Sequence, residues 1–212
     1  MTDKKIQLTE KPFYTFFKRL FDILFSMIGL IVLIPLFFIV SVCILIDDPK
    51  GPIFYSQTRV GKNGKAFKMY KFRSMVSNAD EILEKLRSKN EISGAMFKLK
   101  NDPRITKVGR IIRKYSLDEL PQLLNVIQGS MSLVGPRPPL LSEVAQYTEF
   151  DKQRLLVRPG CTGLWQVGGR NDVSFDEMVR LDLEYITHRS LLLDAQIIFK
   201  TVLVMLKPNG AY

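Results

Sequence analysis

The 212-residue chain has very few of the side chains that most often hold metals or act as nucleophiles. Histidine occurs once, as His188, and cysteine twice, as Cys43 and Cys161. A single histidine excludes a multi-histidine metal site, and any Ser-His or Cys-His pair would have to use His188. Two cysteines in unrelated contexts predict neither a disulfide framework nor a metal cluster, which agrees with a reducing compartment.

Acidic residues are outnumbered, with 21 Asp and Glu against 31 Lys and Arg, so the formal net charge is +10. This excess favours anionic partners, and nucleic acid, phospholipid headgroups and phosphorylated small molecules all qualify. An apolar content of 46% and a charged content of 25% are typical of a folded protein. The length allows one core-bearing domain plus an appendage.

Charged residues are absent from residues 23–46, an apolar run of 24 residues that is long enough to cross a bilayer core. Basic residues flank both ends of this run, and the positive-inside tendency therefore favours the cytoplasmic side for both ends. Pro35 removes a backbone donor in the middle of the run and bends the helix. A straight span and a re-entrant hairpin broken at Ile34 and Pro35 both agree with this pattern. Three acids bracket the run and are expected at headgroup level: Asp22, Asp47 and Asp48.

The remainder of the chain combines one alternating segment with several helical patterns. Period-two alternation follows residue 51, and Asn63 and Gly64 supply the tight turn of a β-hairpin. Helical spacing is found in residues 79–89, 105–115, 141–156 and 190–207, and residues 162–170 form a strand-like piece. In the last helix Asp194 and Lys200 argue against a second span, which leaves an interfacial amphipathic helix or a core helix.

These patterns together predict a mainly helical α+β fold. It consists of an N-terminal flank and a membrane helix-break-helix, either a bent span or a re-entrant hairpin, in residues 1–48, and a cytosolic, membrane-associated domain in residues 49–212. The second part is expected to contain the small β-hairpin, with interfacial amphipathic helices around its core.

An acidic pair, Asp118 and Glu119, lies in the basic surroundings of residues 116–126 (SLDELPQLLNV). One interpretation is structural. Asp118 would cap a helix N-terminus, Pro121 would occupy the first turn, and Gly129 would end the helix. This role needs no chemistry, and it accounts for the acids from local sequence alone.

The other interpretation is chemical and starts from the arginines around the acidic pair. Arg113 precedes the pair, and Gly- and Pro-rich loops carry Arg137 and Arg170 later in the chain. Arginine suits phosphate because its planar guanidinium donates two hydrogen bonds at once. A carboxylate among such arginines can act as a nucleophile or hold Mg²⁺. Two more basic residues share one face of the second strand, where a solvated edge is the plainer interpretation: Lys71 and Arg73.

Together these segments resemble the bacterial sugar transferases, which are monotopic polyprenyl-phosphate phosphoglycosyl transferases. The resemblance covers roughly residues 13–208 and is carried by the Pro-interrupted apolar run and four further motifs. These motifs are GPIFYSQTRVG, FKMYKFRSM, NDPRITKVGRIIRKYSLDELPQLLNVIQGSMSLVGPRP and RPGCTGLWQVGGRN. The chain has no room for the extra N-terminal membrane domain of larger relatives, so the minimal catalytic form is expected.

The resemblance implies a specific reaction. Such enzymes move a sugar 1-phosphate from a UDP-sugar to undecaprenyl phosphate, releasing UMP, in the first membrane step of exopolysaccharide, capsule or glycoconjugate synthesis. The family pattern makes Asp118 the nucleophile that forms a covalent phosphosugar intermediate, and Glu119 its Mg²⁺-associated partner, with Asp118 also near the metal. The residues expected to bind substrate phosphates are Arg113, Arg137, Arg170, Lys71 and Arg73.

The resemblance also implies a location and partners. It favours a re-entrant hairpin at the cytoplasmic face of the bacterial cell membrane, although Ile34 stands where some members have a small polar residue. Expected partners are a UDP-sugar, undecaprenyl phosphate, inner-leaflet phospholipids and downstream glycosyltransferases, with a homodimer left open and no nucleic acid. A membrane-anchored binding protein for anionic lipid or nucleic acid is the alternative from another class, and a one-step transfer is the alternative mechanism. No motif indicates which sugar is carried.

Overall fold

Two helices joined at a sharp bend form the N-terminal part of the structure. The computed structural model describes residues 6, 8–79, 81–82, 99, 102–168 and 173–206. Helix α1 (Pro12–Val32) and helix α2 (Ile34–Asp47) meet at Leu33 and are bent by 60°. Pro35 lies in the first turn of α2, where a missing N–H costs little, so the same proline both interrupts α1 and starts α2. The helix break predicted at Ile34 and Pro35 is confirmed.

The bent helix pair exposes a large apolar surface. Among the described residues no single helix is both long and apolar enough to cross a membrane, whereas α1 and α2 together meet both requirements by length and composition. We expect this surface to be buried against another apolar surface, because soluble monomers rarely expose large contiguous apolar patches. Several of its side chains are at least 61% exposed: Phe13, Ile31, Val32, Ile34, Phe38 and Ile46.

The predicted β-hairpin is confirmed. Strand β1 (Phe54–Val60) pairs antiparallel with strand β2 (Ala66–Phe72), in a register that sets Phe54 opposite Phe72. The connecting turn contains Asn63 at φ 56° and Gly64 at φ 77°, and these two residue types tolerate left-handed backbone best. Phe72 is buried and contacts both Phe54 and Phe37 of α2, so the hairpin packs directly against the bent helices.

The rest of the chain is mainly helical, which agrees with the predicted fold class. A small parallel sheet joins strand β3 (Ser132–Val134) to strand β4 (Gly160–Thr162). The remaining helices are α3 (Lys107–Lys114), α4 (Gln122–Gln128), α5 (Leu141–Val144), α6 (Leu164–Gly168), α7 (Phe175–His188) and α8 (Leu191–Leu206). Short 3₁₀ turns occupy Lys62–Gly64, Leu117–Glu119 and Asp151–Leu156. The division at residue 48 stays a prediction.

Two of the predicted elements are wrong. The single helix over residues 141–156 is instead α5 followed by a separate 3₁₀ turn, because the Asp151 carboxylate accepts hydrogen bonds from the Thr148 amide and hydroxyl and fixes a turn there. In the strand-like piece predicted over residues 162–170, only Thr162 belongs to a strand, the end of β4. Leu164–Gly168 is helical, and residues 169–170 lie outside the described residues. Most of the helix predicted over residues 79–89 lies outside the described residues.

The last helix, α8, packs against the core on one face and exposes a mainly apolar face on the other. Its buried Asp194 accepts hydrogen bonds from the Tyr185 hydroxyl at 2.7 Å and from Lys18 of α1 at 3.0 Å. Asp194 therefore links α8 to α1, and it does not face solvent. Lys200 is exposed, and the outer face carries large apolar side chains: Leu192, Phe199, Val202, Leu203 and Leu206.

Two of the three acids that bracket the apolar run accept hydrogen bonds from backbone amides of the domain. Asp22 is 5% exposed and accepts a hydrogen bond from the Leu133 amide of β3 at 3.1 Å. Asp47 accepts one from the Val108 amide at the start of α3, at 2.9 Å. The structure thus assigns these two acids to contacts between the helix pair and the domain, and their expected level among the headgroups stays a prediction.

Candidate active site

The acidic pair lies in the 3₁₀ turn Leu117–Glu119, between α3 and α4. Ser116 begins this turn with a left-handed backbone at φ 55°, and the Glu119 amide donates to the Ser116 carbonyl at 3.2 Å. The prediction that Asp118 caps a helix is wrong, because α4 begins four residues later, at Gln122, with Pro121 at its N-cap position and no side-chain cap. Gly129 ends α4 at φ 88°, as predicted.

The turn is fastened on two sides. Leu117 packs against a buried apolar cluster that α2, β2 and α3 form from Val40, Ile44, Phe72 and Ile112. Asn125 of α4 is 1% exposed, accepts from the Tyr70 amide at 2.9 Å and donates to the Lys68 carbonyl at 2.7 Å. These bonds hold α4 against β2, and they bring the preceding turn next to Lys71.

Lys71 and the two acids form a compact charged group. The Lys71 ammonium lies 2.6 Å from Glu119 Oε1, and the Glu119 side chain is 36% exposed, whereas Asp118 is 8% exposed. Burial raises the pKa of Asp118 to about 6, with Glu119 adding to the rise and Lys71 and Arg113 opposing it. Burial also acts to raise the pKa of Glu119, but Lys71 outweighs it and the pKa falls below its usual value. Two adjacent carboxyls with pKa values pushed apart are typical of a chemically active site.

A cationic cavity opens beside this group. Its lining brings together side chains from β1, β2, the Leu117–Glu119 turn, α4, α6 and the loop after β3: Arg59, Lys71, Glu119, Gln122, Arg137 and Gln166. Three cations around one partly exposed carboxylate create a site for a strongly anionic ligand.

The loop that carries Arg137 is held rigidly by backbone bonds. The Gly135 amide donates to the Thr162 carbonyl at 2.9 Å, and the Gly160 amide donates to the Pro136 carbonyl at 2.9 Å. A Cβ on Gly135 would lie 2.6 Å from the Arg158 carbonyl oxygen, so only glycine permits this close approach. Behind the loop, the buried Glu143 has Oε1 at 3.8 Å from Arg137 Nη1, which keeps a negative charge next to that arginine.

Residues 13–208 match the family described as bacterial sugar transferase. The chain belongs to this family. It is 50% identical over 201 residues to the undecaprenyl-phosphate galactose phosphotransferase of Salmonella typhimurium, which covers 93% of this chain and 42% of that protein. It is 47% identical over 197 residues to galactosyl transferase CpsE of Streptococcus agalactiae, covering 92% of this chain and 43% of that protein. The chain therefore spans less than half the length of these two curated relatives.

A shorter relative matches over most of its own length. The exopolysaccharide production protein ExoY of Sinorhizobium fredii is 45% identical over 199 residues, which covers 92% of this chain and 88% of that protein. The family match over residues 13–208 includes the helices and strands given above except for Pro12, the first residue of α1.

The structure brings together most of the predicted site residues. Lys71, Glu119 and Arg137 line the cavity, and Asp118 is buried in the same turn as Glu119. Arg113, near the end of α3, acts electrostatically on Asp118. These contacts agree with the proposed grouping of acids and phosphate-binding cations, although they leave the role of each residue a prediction.

Two predicted phosphate-binding residues are not placed in the cavity. Arg73 follows the last residue of β2, is 6% exposed, and has Nη1 at 3.3 Å from Asp48 Oδ2, so it is a structural ion pair at the base of the hairpin. This corrects the expectation that Arg73 shares a site with Lys71, because the buried Arg73 guanidinium also donates to the Asp48 carbonyl. Arg170 lies outside the described residues.

One cavity residue was missed. Arg59 is one of the basic residues that flank the apolar run, and its side chain lines the cavity from β1. The sequence offered only a weak indication of this role, namely that Arg59 shares one face of the predicted strand with Gln57 and Tyr55.

The donor set fits Mg²⁺ only with help from a substrate. The described residues contain no group of three or more His, Cys, Asp or Glu side chains that could hold a metal alone. Mg²⁺ commonly binds through one or two carboxylates plus substrate phosphates. The partly exposed Glu119, with Asp118 beside it and a cationic cavity in front, offers that arrangement.

Proposed function

We propose that this chain transfers a sugar 1-phosphate from a UDP-sugar to undecaprenyl phosphate, giving undecaprenyl-diphosphate-sugar and UMP. The single observation that carries the proposal is the Asp118 and Glu119 turn, salt-bridged to Lys71 at a cavity that Arg59 and Arg137 also line. The names of two relatives, undecaprenyl-phosphate galactose phosphotransferase and exopolysaccharide production protein ExoY, support the substrate class and an early step of surface-glycan assembly.

The proposed transfer has two steps. An Asp118 carboxylate oxygen attacks the β-phosphorus of the UDP-sugar, the bond from that phosphorus to the bridging oxygen breaks, and UMP leaves. An oxygen of undecaprenyl phosphate then attacks the same phosphorus, and the Asp118 carboxylate is regenerated. Two steps avoid a direct encounter of two anionic phosphates, and the covalent intermediate divides one difficult transfer into two easier ones.

The surrounding residues would lower the cost of both steps. Arg137 and Lys71 face the cavity and would neutralise the charge that develops on the phosphates. Glu119, with Asp118, would hold Mg²⁺, which supplies charge neutralisation of the diphosphate and of the leaving UMP. Burial keeps Asp118 away from bulk water, and at neutral pH its carboxyl is mainly ionised because its pKa lies at about 6.

We further propose that α1 and α2 form a re-entrant hairpin at the cytoplasmic face of the bacterial membrane, among inner-leaflet phospholipids. The 60° bend, the exposed apolar surface and the bonds that tie both helices to the domain support this topology. Such a hairpin would bring the cavity close to the headgroup region, where the phosphate of a polyprenyl carrier lies. Homodimerisation and handover of the product to downstream glycosyltransferases stay predictions.

Release of UMP tests the proposed function. Purified protein in detergent with Mg²⁺ and undecaprenyl phosphate is expected to release UMP from at least one of UDP-glucose, UDP-galactose and their N-acetylated forms. Omitting undecaprenyl phosphate should restrict the release to a single turnover. The proposal is wrong if no UDP-sugar gives UMP, and anionic vesicle binding without UMP would favour a membrane-anchored binding protein.

The hairpin topology predicts equal accessibility on both sides of the helix pair. Cysteines introduced as Glu10→Cys and Lys50→Cys, in a background that lacks Cys43 and Cys161, occupy exposed positions before α1 and after α2. A membrane-impermeant maleimide is expected to label both only after the cells are permeabilised, and the cysteine-free background should stay unlabelled. Labelling of one position in intact cells would show that the pair spans the membrane.

A further inference from the structure

Arg59 is a buried cation whose hydrogen-bond acceptors are all neutral. Its side chain on β1 is 6% exposed. Nη1 donates to the Pro138 carbonyl at 3.1 Å, while Nε and Nη2 donate to Gln57 Oε1 at 3.1 and 2.7 Å. A guanidinium carries five N–H donors, so these three bonds leave two donors on a side chain that lines the cavity.

The charge of Arg59 is not neutralised by contact. In the part of the chain that the structure describes, no carboxylate lies within 4 Å of its nitrogens. Glu143 and Glu119 act on it only from a distance, and Arg137 repels it. Burial, followed by Arg137, lowers the pKa of Arg59 to about 10, so it stays protonated at neutral pH. A buried cation without a counter-ion is costly, and this cost is relieved when an anion binds.

Hydrogen bonds join the strand that carries Arg59 to the loop that carries Arg137. The Pro138 carbonyl, next to Arg137, accepts the Arg59 bond, and the Val60 amide donates to the Pro139 carbonyl at 2.9 Å. Both arginines therefore belong to one braced unit of β1 and the loop after β3, in spite of their distance along the chain. Like charges held together in this way favour a ligand with more than one anionic group.

We propose that Arg59 is a substrate-binding residue, which together with Arg137 binds the phosphate groups of the nucleoside diphosphate sugar. The inference rests on the proposed function for the identity of the sugar nucleotide. It assigns the buried charge of Arg59 to ligand binding and not to the stability of the fold. The bound diphosphate supplies a counter-charge in contact with Arg59, which no described carboxylate provides.

Binding of UDP to the purified full chain tests this inference without requiring turnover. Arg59→Met is expected to weaken UDP binding by about 10- to 100-fold, because two charge-assisted hydrogen bonds are lost. It should also abolish the rise in unfolding temperature that UDP produces in the unmodified protein. Lys68→Met is the matched control, because it removes one positive charge from an exposed position of β2 and should leave UDP binding unchanged.

A second variant guards against a simple folding defect. Arg59→Lys keeps the positive charge but not the planar pair of donors, and is expected to raise KM for the UDP-sugar about tenfold with little change in kcat. The inference is overturned if Arg59→Met binds UDP as tightly as the unmodified protein, or if Arg59→Lys leaves KM unchanged. If the unmodified protein binds UDP but never releases UMP, the proposed reaction fails and the binding role of Arg59 stands.

Discussion

Asp118→Asn is expected to lower UMP release by about a thousandfold or more, because a carboxamide cannot form the covalent bond to phosphorus. With the UDP-sugar alone, the intact mass of the unmodified protein should increase by one phosphosugar, and the variant should show no increase. Asp176→Asn is the matched control, since it makes the same chemical change at an exposed position on α7. A phosphosugar adduct on the Asp118→Asn protein would contradict the assignment.

The pH dependence of adduct formation is a second test of Asp118 as the nucleophile. The pKa of Asp118 is raised to about 6, mainly by burial, so the protonated and unreactive form persists to a higher pH than for an ordinary aspartate. The rate should therefore fall about tenfold per pH unit below pH 6 and level off above it. A rate that is constant from pH 5 to pH 8 would show that another group forms the bond.

Arg154→Met is expected to cause the largest loss of stability. Arg154 donates through Nε and Nη2 to Asp182 at 2.8 and 2.6 Å, and through Nη1 to the Tyr147 hydroxyl at 2.8 Å. Arg154 is 4% exposed and Asp182 is 1% exposed. Removing one partner leaves a buried carboxylate uncompensated, which costs about 3–5 kcal/mol. For a chain of this size the unfolding temperature should fall by roughly 10 °C.

The size of this loss should depend on pH. Burial already raises the pKa of Asp182 to about 6 in the presence of Arg154, which opposes the rise, and removing Arg154 raises the pKa further. Below that pKa the buried carboxyl is neutral and easily accommodated, whereas in the unfolded chain it ionises above about pH 4. The destabilisation should therefore be larger at pH 8 than at pH 5 when unfolding is followed by circular dichroism.

A substitution on α7, the helix that carries Asp182, separates the effect of the buried ion pair from that of a surface ion pair. Arg180 also pairs with an acid, Glu177, but its side chain is 72% exposed. Arg180→Met is expected to leave the unfolding temperature unchanged, because exposed ion pairs are screened by solvent. Equal effects of the two substitutions, or a loss from Arg154→Met that is the same at both pH values, would contradict the account of the Arg154–Asp182 pair.

Local patterns in the sequence predict the parts of this fold that neighbouring residues control. Pro35 bends the helix pair, Asn63 and Gly64 turn the hairpin, and Gly129 ends α4, each through its own backbone preference. The same local reasoning failed at residues 141–156, where one carboxylate, Asp151, bonds to Thr148 and overrides helical spacing. Helix capping by Asp118 failed for a similar reason, since the left-handed Ser116 starts a 3₁₀ turn in place of a helix.

The sequence by itself determined the family, the basic charge, the broken apolar segment and the acidic pair, because each depends on residue type and short spacing. Only the tertiary structure decided which cations meet that pair. Lys71 reaches Glu119 across 48 positions, Arg73 two residues later pairs with Asp48 instead, and Arg59 lines the cavity from another strand. The physical reason is that strand pairing and loop bracing set these positions, and charge, burial and pKa depend on neighbours in space.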